Sequence, residues 1–506
     1  MLMVGKKKSV ITHFNLGRTE KLPHSEWMDS SKREALRKEL LARVMADPEG
    51  VVDLVLSLMD QVETLTKRVE QLEDQLKKNS GNSSKPPSTD LGSSTKPKDR
   101  SLRGKSAKKS GGQKGHPGRT LKRVNNPDVT ITHSLELCPV TGRALDESDV
   151  VGEIRRQVFD IPEPKLIVTE HIYLLYRILG SSKTVHEPFE QGVSAPVQYG
   201  SRFGALLVYL SDFQLIPMAR LAKLCFDLYG REISAGTIER FRKPCFEHLE
   251  KFEEQLKKDL LKSPVLHADE TGIRILGKTQ WLHVISNADL TYLWASDHRG
   301  RAAINEMQVL NFYTGTLIHD CLASYFALNC DHGLCNAHLM RELKFFSEVK
   351  EHKWAARMQA LLMQALNAPE TTSERGWRQR YSRILAEANA EHPYQPPARD
   401  QQKRGRTAKP PVNNLIARFH KYKDQILRFI FEPHVPFTNN QAERDLRMAK
   451  VQQKISGTFR TWQGAIRFAR IRSYISTAQK RGGSVYDAIN LALMGNPMFC
   501  KSDNNS

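Results

Sequence analysis

Val51, Val55, Leu58, Val62, Leu65, Val69, Leu72 and Leu76 recur at spacings of 4-3-4-3-4-3-4, with Glu, Lys and Gln set around them. An apolar stripe this narrow predicts a helix over 51–78 whose seam pairs with another helix. A neighbouring element of the same domain could supply that partner, and so could a second copy of the chain. The adjoining segment favours the second copy. From Asn79 to residue 128 the sequence is rich in Ser, Gly, Pro and Lys, as in Asn79-Ser-Gly-Asn-Ser-Ser-Lys-Pro-Pro-Ser and Gly111-Gly-Gln-Lys-Gly-His-Pro-Gly. Such a segment cannot bury a core and reads as a flexible linker. Residues 1–50 are polar, with one short helix expected over 31–46.

The linker also carries the charge. The 506-residue chain has 76 Lys+Arg against 56 Asp+Glu, a net +20. Residues 96–123 hold eleven Lys/Arg, among them Lys108, Lys109 and Lys114, against the single acid Asp99, so half the excess lies there. Basic charge concentrated in this way favours a polyanionic partner. No run of about 18 uncharged apolar residues exists, so no membrane partner and no spanning helix are expected. Lys6, Lys7 and Lys8 have no apolar core behind them, which argues against a secretory signal. Seven cysteines, odd in number, exclude a disulfide scaffold and suit a reducing cytoplasm.

Beyond the linker, residues 129–190 alternate apolar and polar residues in three stretches (129–133, 153–160 and 166–176) separated by Pro and Gly, which predicts a small β module. Residues 191–250 then predict three helices. The first covers 201–213. The second covers 217–229 and stops at Gly230, and the third opens at an N-cap Ser234 and carries Arg240, Arg242 and Lys243. Two helices joined by a short Gly-containing turn fit a helix-turn-helix, and equally an ordinary helical bundle.

The texture changes again over 255–482. Residues 263–268 predict a buried strand ending on Asp269, and 273–276, 281–285 and 291–295 predict an antiparallel meander after it. Residues 315–319 predict a further strand ending on Asp320. Acids at adjacent strand ends are a way to hold hard divalent cations, although one such acid alone is more often a solvated strand cap. Thr438-Asn-Asn-Gln predicts a capping box that opens a helix, on which Glu443, Arg447, Lys450 and Lys454 share one face. A carboxylate heading a cationic stripe can bind a metal and lead a phosphate backbone away from it. Alone, it would be an ordinary surface helix with an i,i+4 ion pair. Cys330, His332, Cys335 and His338 have zinc-like spacing, but 334–346 reads better as a strand passing into a helix.

Three stretches carry a family resemblance: His267-Ala-Asp-Glu-Thr-Gly, Cys335-Asn-Ala-His-Leu-Met-Arg-Glu-Leu, and Phe437-Thr-Asn-Asn-Gln-Ala-Glu-Arg-Asp-Leu-Arg running into Lys454-Ile-Ser-Gly. With the two linker phrases, they make the chain resemble a transposase of the insertion-sequence sixty-six family, a DDE-type group with a ribonuclease-H-like catalytic domain. The resemblance implies a multidomain α+β chain: an N-terminal coiled coil, a small β module, a helix-turn-helix, and a mixed-sheet catalytic domain with a helical insertion over about 351–432 and a tail over 483–506. It implies Asp269, Asp320 and Glu443 as a triad binding Mg²⁺, with Mn²⁺ as a substitute, and His338 and Arg341 as active-site neighbours. DNA in the form of terminal inverted repeats and target would be met by Arg240, Arg242, Lys243, Arg444, Arg447, Lys450, Lys454 and the linker lysines. It further implies a homodimer through 51–78, companion proteins encoded by the same element, and a place beside the bacterial nucleoid.

Two departures from the family pattern qualify this. The β module retains Cys138 but lacks the other cysteines of the family's zinc-binding module, so zinc is not expected there. Asp320 is followed by Cys321-Leu322 where the family has Gly-Tyr, which leaves Asp331 as a fallback for the second acid. A decayed copy that only binds DNA, and a ribonuclease-H-like nuclease without joining activity, are the two rival readings.

Overall fold

The computed structural model describes residues 30–78, 82, 120–395 and 409–498. The chain divides into two units, Met1–Asn79 and Ser80–Ser506. Most of the expected linker, residues 83–119 with Lys108, Lys109 and Lys114, lies outside the described residues, as do residues 1–29.

In the first unit α1 (Ser30–Ala46) is followed by α2 (Pro48–Lys77). Asp47 starts α2, accepting the Gly50 N–H at 2.9 Å, and Pro48 stands in the first turn where its missing N–H costs nothing. None of the residues of α2 is buried, and the heptad residues Leu65 and Leu76 are 64% and 73% exposed.

The second unit begins with a correction. Residues 129–190 do not form a β module: their regular structure is one short 3-10 turn and one hairpin, β1 (Tyr176–Arg177) with β2 (Thr184–Val185). Apart from Tyr176 in β1, the alternating stretches form no paired strand, and Val129, Ile131, Val158 and Ile167 stay exposed. Alternation places apolar side chains on one face, but a sheet also needs a second layer to cover that face, and no such layer is present among the described residues.

The three helices of 191–250 form as expected. α3 (Ser201–Val208) runs into a π-turn over Tyr209–Phe213. α4 (Met218–Tyr229) closes on Gly230 at φ 60°, and α5 (Ala235–His248) starts at Ser234, which accepts the Thr237 N–H at 3.1 Å. With α6 (Glu250–Leu261) they are not free-standing, because Ala205, Val208, Cys245, Phe252 and Leu256 share a core with the sheet beyond them.

That sheet has five strands: β3 (Val265–Ile275), β4 (Lys278–Ser286), β5 (Thr291–Ser296) and, beyond α7 (Arg301–Met307), β6 (Thr316–His319) and β7 (Asp331–Leu334). Their order is β5-β4-β3-β6-β7. β3, β4 and β5 are antiparallel, whereas β6 pairs parallel to β3 and β7 parallel to β6. This is the strand order and polarity of a ribonuclease-H-like domain. The expected strand break at Asp269 does not occur. β3 continues to Ile275 and turns through Leu276 and Gly277, both at positive φ (52° and 75°), as a two-residue hairpin requires.

After β7, α8 (Asn336–Glu348), α9 (Lys353–Asn367), α10 (Glu374–Glu391), α11 (Pro411–Lys421) and α12 (Lys423–Phe431) build a second core around Leu343, Trp354, Trp377, Tyr381 and Phe419. α13 (Asn440–Ser456) then lays Ala442, Leu446 and Ala449 on Ile273, Ile275, Leu282 and Val284 of the sheet, and α14 (Trp462–Lys480) comes next. The expected C-terminal tail begins instead as α15 (Val485–Leu493), with Ala488, Ile489 and Ala492 fully buried in the first core. These apolar residues, at i, i+1 and i+4, share one face of the helix.

Candidate active site

The parallel register of β3 and β6 brings two of the expected acids together. Val265 pairs with Thr316, Leu266 with Leu317 and His267 with Ile318. Carried two residues further, the same register sets Asp320 beside Asp269. Burial first, and then the charges of Glu270, Asp320 and Glu443, hold the Asp269 carboxyl well above the usual carboxylate range.

Glu443 arrives from α13, and Asn439 fixes where that helix starts. Its side-chain amide donates to the Ala268 carbonyl at 2.8 Å, so its oxygen is left to accept from His267 Nδ1 at 2.9 Å. Its backbone N–H points at Cys335 Sγ at 3.2 Å, and the Asn336 N–H donates to the Phe437 carbonyl at 3.0 Å. The expected Thr438–Gln441 capping box is therefore absent. Asn439 is the N-cap, its side chain is committed to β3, and Gln441 donates to Asp445 at 3.1 Å instead.

His338 and Arg341 stand one turn apart on α8. His338 Nε2 is 3.4 Å from Glu443 Oε1, and burial first, then the Arg341 cation, draws the imidazole below its ordinary range. Glu443 Oε1 is buried and makes no hydrogen bond. Sequence reasoning assigned no role to Glu270, which points to the opposite face of β3 from Asp269. There Tyr325 donates to it at 2.9 Å and Arg299 Nε at 3.0 Å, and its side chain is 1% exposed. The adjacent acids in Asp269-Glu270 were the available signal, since strand alternation sends them to opposite faces.

Asp331 is set aside as the second acid. It opens β7 opposite Thr316, about four residues or ~13 Å along the strands from Asp320, and pairs with Arg428 at 3.0 Å. Asp320 is anchored by the Leu322 N–H at 2.9 Å, so the Cys321-Leu322 departure leaves its carboxylate tethered. The Cys330, His332, Cys335, His338 group is divided by β7. His332 meets His319 at 3.0 Å, whereas Cys335 and His338 gather with Glu443, their ligand atoms within 4.8 Å of one another.

The cationic candidates divide as well. Arg444, Arg447 and Lys454 are exposed on α13, and Lys450 is exposed but donates to the Gly272 carbonyl at 2.5 Å. Arg240 and Lys243 are exposed on α5. Arg242 is not a DNA-facing residue: its guanidinium makes two 2.8 Å bonds to the Asp212 carboxylate and a further bond to Glu239. It lies on the α5 stripe Ile238, Arg242, Cys245, spaced i, i+4, i+7, which faces the core.

Asp269, Asp320 and Glu443 offer hard oxygen donors, and the crowding of negative charge at Asp269, with a buried Glu443 oxygen that makes no hydrogen bond, suits a cation among them. The residues fit a divalent metal of the Mg²⁺ or Mn²⁺ type.

Residues 20–122 match a family of unknown function (DUF6444). No curated protein matches the chain. Among solved structures, the chain is similar to one of a simian T-cell lymphotropic virus intasome in complex with PP2A regulatory subunit B56 gamma. The identity is 11%, covering 30% of this chain and 62% of that one, with a TM-score of 0.14. Residues 196–467, which include every acid of the site and the helices around it, match the transposase family itself. The chain belongs to the Transposase IS66 family, a family of DDE-type enzymes.

Proposed function

We propose that this chain is a metal-dependent DNA transposase in which Asp269, Asp320 and Glu443 hold the catalytic cations. One observation carries the reading: carboxylates from β3, the end of β6 and α13 gather beside the central strand β3, and a buried Glu443 oxygen there lacks any hydrogen bond. Mg²⁺ or Mn²⁺ bound there supplies Lewis-acid activation of a hydroxyl and charge neutralisation at the phosphodiester.

The chain's own residues supply position. Asn439 sets the start of α13 against β3, which fixes Glu443 relative to Asp269. Neutral His338 orients the Glu443 carboxylate at its Oε1 edge, and Arg341 adds a cation beside it. Arg444, Arg447 and Lys454 line the path of a DNA backbone along α13, with phosphate contacts giving affinity. Arg240 and Lys243 of α5 and the basic stretch 96–123 make further contacts with the terminal inverted repeats. The exposed seam of α2 pairs with that of a second copy, so that two DNA ends can be held in one assembly.

The test is Glu443→Gln with oligonucleotides carrying the element's ends in Mg²⁺. Cleavage and joining should fall by at least about a thousandfold, as for the loss of a metal ligand in such sites, while DNA binding persists. Joined product at the wild-type rate would overturn the assignment. Hydrolysed but never joined ends in the parent chain would favour the nuclease reading.

A further inference from the structure

We propose that His352, Glu391 and His392 form a second metal site, remote in sequence from the catalytic acids, that takes one transition-metal ion of the Zn²⁺ class and staples the α8–α9 turn to the end of α10.

The backbone on both sides is already fixed. His352 precedes α9 as its N-cap, and its N–H donates to the Phe346 carbonyl at 2.9 Å. His392 ends α10 as its C-cap. Its N–H donates to Ala388 at 2.9 Å, and its carbonyl accepts from Asn413 at 2.8 Å. The two imidazoles stack with centroids 4.2 Å apart and planes 30° apart.

What each ring lacks at one nitrogen is a hydrogen bond. His352 Nδ1 and His392 Nε2 are both buried atoms without a hydrogen bond. With a carboxylate oxygen of Glu391, the available ligand atoms of the three residues lie within 4.8 Å of one another. The Glu391 Oε1 to His392 Nε2 separation is 3.4 Å. That is the edge of a tetrahedron with metal–ligand bonds of about 2.0–2.1 Å, or about 3.3–3.4 Å.

Donor chemistry separates this site from the catalytic one. Two imidazoles and one carboxylate select Zn²⁺ and its neighbours, whereas three carboxylates suit Mg²⁺. Three protein ligands leave a fourth position for water. His392 also lines a cavity of about 610 Å³ with Asn389, Asn413, His420, Lys409 and Lys421. The missing cysteines of 129–190 have no bearing on this pair.

The test uses the full chain stripped of metal with a chelator, then titrated with Zn²⁺ against a chromophoric competitor. The Asp269→Asn/Glu443→Gln chain, whose catalytic carboxylates are disabled, should still bind one Zn²⁺ per chain tightly. His352→Gln and His392→Gln, introduced separately into that double variant, should each weaken binding at least tenfold and abolish the Zn²⁺-induced rise in melting temperature. Metal-free melting of each variant, matched to the metal-free parent, serves as the folding control, and Glu391→Gln replaces any histidine variant that fails it. The proposal is overturned if the double variant retains no Zn²⁺, or if its affinity is unchanged by the histidine substitutions.

Discussion

Asn439 holds His267 across the junction of helix and sheet: its side-chain oxygen accepts from His267 Nδ1 at 2.9 Å, and its amide donates to the next carbonyl, that of Ala268, at 2.8 Å. The position of Glu443 depends on this clamp. Asn439→Ala should lower metal-dependent cleavage about 10- to 100-fold, the usual cost of losing a partner that orients a metal ligand. It should also cost about 1–3 kcal/mol through the buried groups left unpaired. Single-turnover cleavage and a urea melt measure the two effects, and unchanged cleavage in a stable variant would count against the positioning role.

Asp320 and Asp331 lie at opposite ends of paired strands, so their amide variants should part company. Asp320→Asn is expected to abolish cleavage. Asp331→Asn breaks only the contact with Arg428, worth up to about 1 kcal/mol at such an exposed acid, and should leave cleavage within about twofold. A reversed outcome in the same cleavage assay would return Asp331 to the triad.

Removing one side of the Asp212–Arg242 pair should be costly in stability and silent in DNA affinity. Arg242→Met leaves a buried carboxylate uncompensated, for which about 3–5 kcal/mol is the general magnitude. Arg240→Ala and Lys243→Ala should instead reduce the salt dependence of DNA binding with little change in melting. A steep loss of affinity in a folded Arg242→Met chain would show that the residue meets DNA after all.

His283 is buried in β4, its Nε2–H donating to the His298 carbonyl at 3.0 Å, and burial pulls its pKa below the ordinary value. The unfolded chain takes up the proton near pH 6.5 while the folded chain resists it. Stability from this group is therefore present above that pH and lost as pH falls below it. His283→Gln should flatten the change in unfolding free energy between pH 7.5 and pH 5, measured by urea titration. Parallel curves for the two chains would exclude His283 as the source.

Leu65→Lys, at the middle of the exposed α2 seam, should shift the chain from dimer to monomer in sedimentation. A wild-type chain that sediments as a monomer at micromolar concentration would remove the pairing role from α2.

Local patterns made much of this molecule readable. The helices of 191–250 declared themselves through Ser234 and Gly230, whereas Asp269, Asp320 and Glu443 were singled out together by the family resemblance, their strands and helix showing only where each acid would stand. Errors arose where a side chain had two uses. Thr438-Asn-Asn-Gln has the letters of a capping box, but Asn439 makes bonds to β3 that a single-helix pattern cannot reveal. Arg242 sits among exposed cations in sequence, yet its helical phase turns it inward to Asp212. The alternation over 129–190 was genuine, but a strand needs partners and a covering layer, and neither is encoded in the segment that alternates. The pairing of Asp269 with Asp320 depends on the register between strands about fifty residues apart, which no local pattern contains.

α8 belongs to two bodies at once. One side offers His338 to Glu443, while Leu339, Leu343, Phe345 and Phe346 are rooted in the insertion's core, where Phe437, two residues before Asn439, is buried as well. The helices over 353–431 therefore act as a foundation for His338 and for the start of α13. Excising them would unseat His338 and the threshold of α13 together. A strain applied to the insertion, whether by DNA or by a protein, would reach Glu443 through α8 and His338.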